Sequence, residues 1–429
     1  MVDFRFETSK DFACRLDLED PLARFRKRFY IPDKTIYVDG NSLGLLSVES
    51  ERSIIRVLDE WKILGIKGWT KAKLPWFYFA EELGSMCARI VGAEPEEVVA
   101  TGTTTVNIHS LVNTFYQPEG NRRKILGDEL TFPTDIYALR SVVRLRGNSD
   151  RDLILAPAEG GRILNEDQII EMMDSHVALV FLPSVLYRSG QLLDMQRLTK
   201  EAHERGIPIG FDCSHSIGVV PHHLDKWSVD FALWCSYKYL NGGPGGTAFI
   251  YINKDHFDLE PALAGWFGYV KERQFDLCID FEHSKSAGGW QISSPPILSS
   301  APLEGSLKII FEAGIDAIRE KSLKLTSYLI YLIDELLSMD PYDFSIGTPR
   351  EPEQRGGHIA VEHTEGMRIS EALQTRGVIS DFRPPNVIRI APTPLYNTFH
   401  EVWEIGQHLK AIIDNKEYRR FPEERKEIP

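Results

Sequence analysis

Trp234-Cys235-Ser236-Tyr237-Lys238-Tyr239-Leu240-Asn241-Gly242-Gly243-Pro244-Gly245-Gly246 is the stretch whose reading decides the fold. It sets a lysine just past an apolar segment, Val229 to Trp234, that reads as a buried strand. Tyrosines flank the lysine and a glycine-rich turn follows it. Upstream, Phe211-Asp212-Cys213-Ser214-His215 closes another apolar strand with an aspartate and a histidine. An acidic residue at one strand end and a lysine at the next meet the needs of pyridoxal phosphate. The lysine forms the Schiff base, and the carboxylate keeps the pyridine nitrogen protonated so that the ring accepts electrons. A single lysine after a strand is far more often a surface residue. Here the aspartate, the histidine, the tyrosine beside the lysine and the glycine turn all fall where one cofactor needs them.

Working outward, short apolar strands alternate with helical stretches from about Glu97 to Ile252. Strands are predicted at 98–100, 124–126, 153–155, 177–182, 208–211, 231–234 and 247–252, and helices at about 106–115 and from Phe132-Pro133-Thr134-Asp135 through 145. This alternation implies crossover connections and a mostly parallel sheet covered by helices on both faces, an α/β fold. Ligands of such sheets sit outside the carboxyl ends of the strands. Asp212, Lys238, the Phe132 turn and the loop Thr101-Gly102-Thr103-Thr104-Thr105-Val106-Asn107 all take such places. Hydroxyls and backbone N–H groups opening a helix suit a phosphate monoester. Ordinary capping explains one threonine but hardly three with a glycine. The GK[ST] ending of a Walker A loop is missing.

On either side of this core the sequence is less regular. A short strand at 35–38 leads into Asp39-Gly40-Asn41-Ser42-Leu43-Gly44-Leu45, where Asn41 and Ser42 offer hydrogen bonds from a tight backbone, as a plain turn or as a functional loop. Helices are expected at 21–29, 48–61 and 77–91. The segment from Gly65 to Trp76 reads as too irregular for an element, and its tryptophans, Trp69 and Trp76, suit core plugs or a pocket for a flat aromatic. Beyond Ile252, a long amphipathic helix from about Leu303 breaks near Ala313-Gly314 and resumes over 317–337. It leads to strands at 358–361 and 386–390 and helices at 367–375 and 399–414, and a charge-dense tail runs from 415 to 429. The expected division is an N-terminal segment, 1–60, packed with the small domain, a large cofactor-binding domain, 61–305, and a small α+β domain, 306–429.

Composition bounds the function. A chain of 429 residues with 43% hydrophobic content is long enough for a large and a small domain. A net charge of −13 argues against nucleic acid and against an anionic membrane surface. The five cysteines, Cys14, Cys87, Cys213, Cys235 and Cys278, are scattered and lack a CxxC pair, so reduced thiols are expected, with neither disulfides nor a metal site. Met1 to Asp20 has no apolar run of the signal-peptide kind, and no window reaches the length of a membrane span. A cytoplasmic location is the expectation.

With these motifs laid out, the chain resembles the kynureninase family, pyridoxal-phosphate enzymes of the aspartate-aminotransferase-like fold. The resemblance runs from about Leu18 to about His408. It is carried by DGNSLGL at Asp39, TVNIH at Thr105, FPTD at Phe132, DxxH at Asp212, WCSYKYLNGGPG at Trp234, GWFG at Gly265, ISSPPIL at Ile292 and VIRIAPTPLYNTF at Val387. It implies a sheet of the seven-stranded type, with Lys238 as the Schiff-base lysine, Asp212 as partner of the pyridinium nitrogen and Phe132 stacked on the ring. Thr105, Asp135, His215 and Tyr237 are implied as cofactor contacts, Thr105 and Tyr237 near the phosphate, and Thr104 as a backbone contact. Trp266 and Ser294 match positions that reach the phosphate from the second subunit of a homodimer, and a further phosphate-side hydroxyl of the family falls at Pro183, beside Ser184. Arg389 matches the arginine that pairs with the substrate α-carboxylate. A fork of donors on a strand end suits that role, and a structural ion pair is the other reading. Asn41, Ser42 and Trp69 are implied on the substrate side.

The activity so implied is hydrolytic Cβ–Cγ cleavage of L-kynurenine to anthranilate and L-alanine in tryptophan degradation, without a metal, with Tyr237 placed to relay a proton. Trp69 and Ser294 stand where animal enzymes favouring 3-hydroxykynurenine have histidine and asparagine, which implies a preference for kynurenine. Two alternatives are a cysteine desulfurase-like lyase and a non-catalytic protein of the same fold. The first needs a nucleophilic thiol on a loop after the lysine, where the chain offers Cys278 between Asp276 and Asp280.

Overall fold

The alternation between 97 and 252 closes into one seven-stranded sheet in the computed structural model, which describes residues 5–423. In chain order the strands are β1 (Val98–Ala100), β2 (Lys124–Asp128), β3 (Leu153–Ala156), β4 (Val177–Pro183), β5 (Ile209–Asp212), β6 (Phe231–Trp234) and β7 (Phe249–Ile252). Their spatial order is β1-β7-β6-β5-β4-β2-β3. Every neighbouring pair is parallel except the two that β7 makes, with β1 and with β6. β4, β5 and β6 are buried along their whole length, as expected of strands covered on both faces.

The period-2 alternation of a strand sorts the side chains into two cores. On one face Leu126, Val180, Leu182, Phe211, Trp234 and Phe249 pack with Leu83, Cys87, Leu303 and Leu307. On the other, Ile125, Leu179, Phe181, Phe231, Leu233 and Ile250 pack with Ile108, Leu111, Leu139 and Val142. Gly210 is needed at its position in β5, since a Cβ there would lie 2.1 Å from the Phe231 ring.

A second, four-stranded antiparallel sheet is formed by β8 (Ser345–Ile346), β9 (Ile359–Glu362), β10 (Asp381–Arg383) and β11 (Val387–Ile390), in the order β8-β9-β11-β10. Leu325, Leu329, Ile333, Val361, Ile388, Val402 and Ile405 build its core, joined by Phe12, Leu16 and Val38 from the N-terminal segment. That segment is divided, because Leu22, Phe25, Phe29 and Leu45 pack on the large core instead.

The helices include α1 (Val48–Leu64), α2 (Thr104–Phe115), α3 (Pro133–Leu145), α4 (Ile297–Ala313), α5 (Ile315–Leu337) and α6 (Phe399–Asp414). The break at Gly314 falls where the sequence placed it. The helix before it begins at Ile297, ahead of the expected start, and carries Pro302 inside it. Docking on α1 overrides the proline there. Ser50 Oγ donates to Pro302 O at 2.9 Å, and Gly305, lacking a Cβ, lets the α1 backbone at Glu49–Ser50 come close. The expected helix at 21–29 is a 3₁₀ segment, Ala23–Arg28. The stretch from Gly65 is also more regular than it reads, winding through Gly65–Lys67 and Gly68–Lys71 with Gly68 seated under the Trp76 ring. Residues 424–429 of the charged tail and 1–4 of the N-terminus lie outside the described residues. Among the described residues all five cysteines are free thiols, no helix is long and apolar enough to cross a membrane, and no group of side chains has metal-ligating geometry.

One buried carboxyl of this core ties stability to pH. Asp128 ends β2 at 1% exposure, and burial pushes it up to about 7, although the N–H groups of Leu130 and Thr131 pull it down. In the unfolded chain it titrates near 3.8, so its contribution is fully present below that value and is lost as pH rises through about 7. Asp128→Asn keeps the neutral form at every pH. Its stability relative to the parent chain is expected to improve by about 2–3 kcal/mol between pH 5 and pH 8, read from urea unfolding at both. An unchanged difference would leave Asp128 ionised throughout.

Candidate active site

The carboxyl ends of β4, β5 and β6 and the N-termini of α2 and α3 open onto a cavity of about 270 Å³. Register places the key groups. Asp212, the last residue of β5, lies beside Pro183 of β4 and Leu233 of β6, and the chain leaving β6 carries Tyr237 and Lys238 onto the same rim. The loop Asp39–Leu45 is fastened against that rim. Gly44 N donates to Tyr237 O at 2.7 Å, and a Cβ on Gly44 would lie 2.4 Å from Lys238 O, so only glycine allows this approach. Asn41 and Ser42 thereby enter the cavity wall.

Lys238 Nζ donates to His215 Nε2 at 2.8 Å. Burial, and then the charge of Lys238, pushes the imidazole well below its ordinary value, so His215 is a neutral acceptor whose Nδ1 has no partner. Asp212 Oδ1 accepts from Ser214 N at 2.7 Å. Burial pushes its carboxyl up, while the Lys238 charge and the Ser214 groups pull it back down. A cationic ring N–H is the kind of partner this buried carboxylate calls for.

At the N-terminus of α2 the capping residue, Thr103, makes no side-chain capping bond, which leaves the first amides to a ligand. Thr104 and Thr105 line the cavity there, and Thr105 Oγ1 lies 3.0 Å from Thr134 Oγ1. Phe132 is the N-cap of α3, followed by Pro133 at the first helical position. Its ring is 45% exposed on the cavity, with the Tyr187 ring edge-on at 5.3 Å. Orphaned polar atoms, free helix amides and an open aromatic face together fit pyridoxal phosphate. The Tyr237 phenol is pushed up by burial, so it stands on the wall in its protonated form.

The opposite wall is cationic. Arg389, in β11, is 1% exposed. It gives Nε to Asp381 Oδ1 at 2.6 Å and Nη2 to Asp381 Oδ2, Nη1 to Tyr187 O at 2.9 Å, and Nη2 to Ser42 Oγ at 2.8 Å. Arg383, in β10, shares Asp381 Oδ2 at 2.6 Å. Arg389 therefore makes a structural ion pair with Asp381 and also lines the cavity. Behind them burial, and then the charge of Asp381, pushes Asp39 up to about 7.

Ten of the expected residues thus meet in one cavity: Asn41, Ser42, Thr104, Thr105, Phe132, Asp212, His215, Tyr237, Lys238 and Arg389. Asp135 does not line it. It lies buried behind the wall, accepting from Thr131 Oγ1 at 2.7 Å, with its carboxyl pushed well up by burial and by Asp212. Ser184 is fully buried with its hydroxyl 2.7 Å from Ser216 Oγ, so the hydroxyl beside Pro183 does not reach the cavity. Trp69 packs on Trp76 and Phe267 and lines a separate apolar cavity of about 430 Å³ with Val57 and Trp61. Trp266 is 48% exposed, donating Nε1 to Gln274 O, and Ser294 is exposed. Thr134 and Ser214 line the cavity from inside the FPTD and DxxH motifs, so motif adjacency could have found them. Tyr187 and Arg383 lie outside all the family-like motifs and arrive only through the fold.

Residues 318–409 match the family model "Kynureninase C-terminal domain". The chain is 55% identical over 423 residues to the kynureninase of Geobacillus thermodenitrificans, covering 98% of each, and 52% identical over 424 residues to that of Bacillus anthracis, covering 99% of each. It is 54% identical to the kynureninase of Shouchella clausii over 97% of each chain. Among solved structures, the apo cysteine desulfurase of Thermococcus onnurineus superposes with a TM-score of 0.78 at 18% identity, over 92% of this chain and 98% of that one. The Escherichia coli cysteine desulfurase CsdA superposes with a TM-score of 0.75 at 16% identity, over the same shares. At such identities these structures share the fold alone.

Lys238→Ala, purified with added pyridoxal phosphate, is expected to take up no covalent cofactor when treated with borohydride, whereas the parent protein is expected to be labelled at Lys238. Intact-mass and peptide mass spectrometry after reduction reads this out, and a single reduced cofactor fixed to another lysine in both proteins moves the role to that lysine.

Proposed function

The chain belongs to the kynureninase family, and on that premise we propose that it hydrolyses the Cβ–Cγ bond of L-kynurenine, releasing anthranilate and L-alanine in tryptophan degradation. One observation carries the reading: a single cavity faces the Lys238–Asp212 pair with the guanidiniums of Arg383 and Arg389. A cofactor-holding wall opposite a carboxylate-holding wall is what an α-amino acid requires.

Pyridoxal phosphate, when bound, supplies the electron sink for bonds at the α-carbon of the amino acid. Thr104, Thr105 and the α2 amides would hold its phosphate, Phe132 its ring face and Asp212 its ring nitrogen. Lys238 Nζ, steadied by His215 Nε2, takes the α-proton. Arg389 fixes the α-carboxylate, so that the α-hydrogen faces the lysine. Water adds to the γ-carbonyl, the Cβ–Cγ bond breaks, and the γ-carbon leaves as the carboxylate of anthranilate. Tyr237, protonated because burial raises its phenol, gives Cβ a proton, and Lys238 returns to Cα the proton it took, which completes alanine. A desulfurase-like reaction finds no support at the site, since Cys278 is exposed and off the cavity wall.

Trp266 and Ser294 we assign to the neighbouring subunit's cavity in a cytoplasmic homodimer. Both are exposed and neither lines the cavity of its own chain. Trp69 lies off the cavity of its own chain, so we assign it with them to the neighbouring subunit's substrate side, where an indole face would accept the unsubstituted aniline ring but offer a ring hydroxyl no acceptor.

Release of anthranilate from L-kynurenine, followed by its fluorescence, tests the activity, and no fluorescence above a no-enzyme control overturns it. Given turnover, kcat/KM for kynurenine is expected to exceed that for 3-hydroxykynurenine by roughly tenfold, about 1.4 kcal/mol of transition-state binding. Equal or reversed values in steady-state kinetics would remove Trp69 and Ser294 from the selection of substrate.

A further inference from the structure

The cationic wall holds two arginines, and their donors are not equally available. A guanidinium carries five N–H donors, and a carboxylate binds it best through two parallel bonds along one edge. Arg389 has no such edge to offer. Its Nε and Nη2 are taken by both oxygens of Asp381, Nη2 also reaches Ser42 Oγ, and Nη1 gives a hydrogen to Tyr187 O. With its side chain 1% exposed, Arg389 has a single Nη1 hydrogen left for a ligand. Arg383 is the opposite case. Its side chain is 27% exposed and lines the same cavity as Lys238. Its bond to Asp381 uses Nη2, and its Nε, though itself buried, has no partner.

Charge favours a ligand anion at this wall. Two guanidiniums face one carboxylate, Asp381, which they hold below the ordinary carboxylate range against the burial that pushes it up. The second acid nearby, Asp39, is pushed upward by burial and by Asp381, so it adds little negative charge below about pH 7. His215, on the facing wall, is neutral. The cluster therefore carries an excess positive charge that no side chain of the cavity cancels.

We propose that Arg383 is a substrate-binding residue that takes the α-carboxylate of the amino-acid substrate jointly with Arg389. The identity of that amino acid rests on the kynurenine reading, whereas the carboxylate site rests on the cavity. Asp381 is then a positioning residue that orients both guanidiniums, and the buried Arg389 supplies charge and one donor while Arg383 supplies the accessible contact.

The experiment uses the holoenzyme and its Arg383→Met and Arg383→Lys variants. It reads steady-state kinetics on kynurenine and the calorimetric dissociation constants of L-alanine and L-alaninamide. Arg383→Met is expected to raise KM by about tenfold or more with kcat within about threefold, and to weaken L-alanine by a similar factor while leaving L-alaninamide unchanged. Arg383→Lys keeps the charge and loses the planar fork, so L-alanine should weaken by about three- to tenfold in it. Wild-type affinity for L-alanine in either variant overturns the proposal, and Arg383→Lys decides alone if the methionine variant does not fold. A purely structural arginine that only braces Asp381 is separated by repeating Arg383→Met in an Asp381→Asn background. Persistent loss there supports direct contact, and no further loss overturns it. A wild-type enzyme that releases no anthranilate would overturn the kynurenine reading, while the contrast between L-alanine and L-alaninamide would still decide the role of Arg383.

Discussion

The parallel pairing of β5 with β6 is the constraint on which the rest of the site depends. Its register sets Asp212 beside Leu233, so that the chain leaving β6 brings Lys238 to the same rim as the carboxylate that ends β5. A slip of one residue would turn every side chain of β6 to the other face and take Leu233 and Trp234 out of their cores. The two cores therefore guard the geometry of the cavity. Trp234 packed on Phe249, and Phe231 stacked on Phe115 in the room left by Gly210, lock the strand whose exit carries Lys238 to the rim.

Charge burial is the second constraint, and the site meets it with pairs. A buried ionic group is tolerated only when partners replace its water. Lys238 has the neutral His215, and Asp212 has the Ser214 amide and the lysine's charge. Across the cavity Asp381 lies between two guanidiniums. The Nδ1 of His215 remains unpaired, the start of α2 has no side-chain cap, and part of Arg383 stays exposed.

The site is also a junction. Lys238, Asp212 and Phe132 come from the large sheet and its helices, Arg383 and Arg389 from the small one, and Asn41 and Ser42 from the N-terminal loop held at Gly44. Ser42 Oγ accepts from Arg389 and also lies 3.2 Å from Asp381 Oδ2, so the loop fastened to the lysine rim touches the carboxylate wall as well. Movement of the small sheet against the large one would change the distance between cofactor wall and carboxylate wall.

The sequence by itself determined the α/β alternation, the lysine and aspartate just past adjacent strand ends, the threonine-rich helix opening and the break at Gly314. Each of these is a local pattern, written in apolar periodicity or in residues a few positions apart. The cofactor wall was legible for the same reason, since its groups sit in contiguous motifs, and Thr134 and Ser214 went unread only as neighbours of residues already chosen. Helix α4 was placed too late because its early turns contain proline and are held by contact with α1, which local propensity does not encode. The tertiary structure alone decided that Asp135 stands behind the wall, that Ser184 turns away and that Trp69 lines a different cavity. It alone brought Arg383 and Asp381 of β10 against Tyr187 and the cavity, because the small sheet and the loop after β4 lie far apart in the chain and meet only where the two sheets dock.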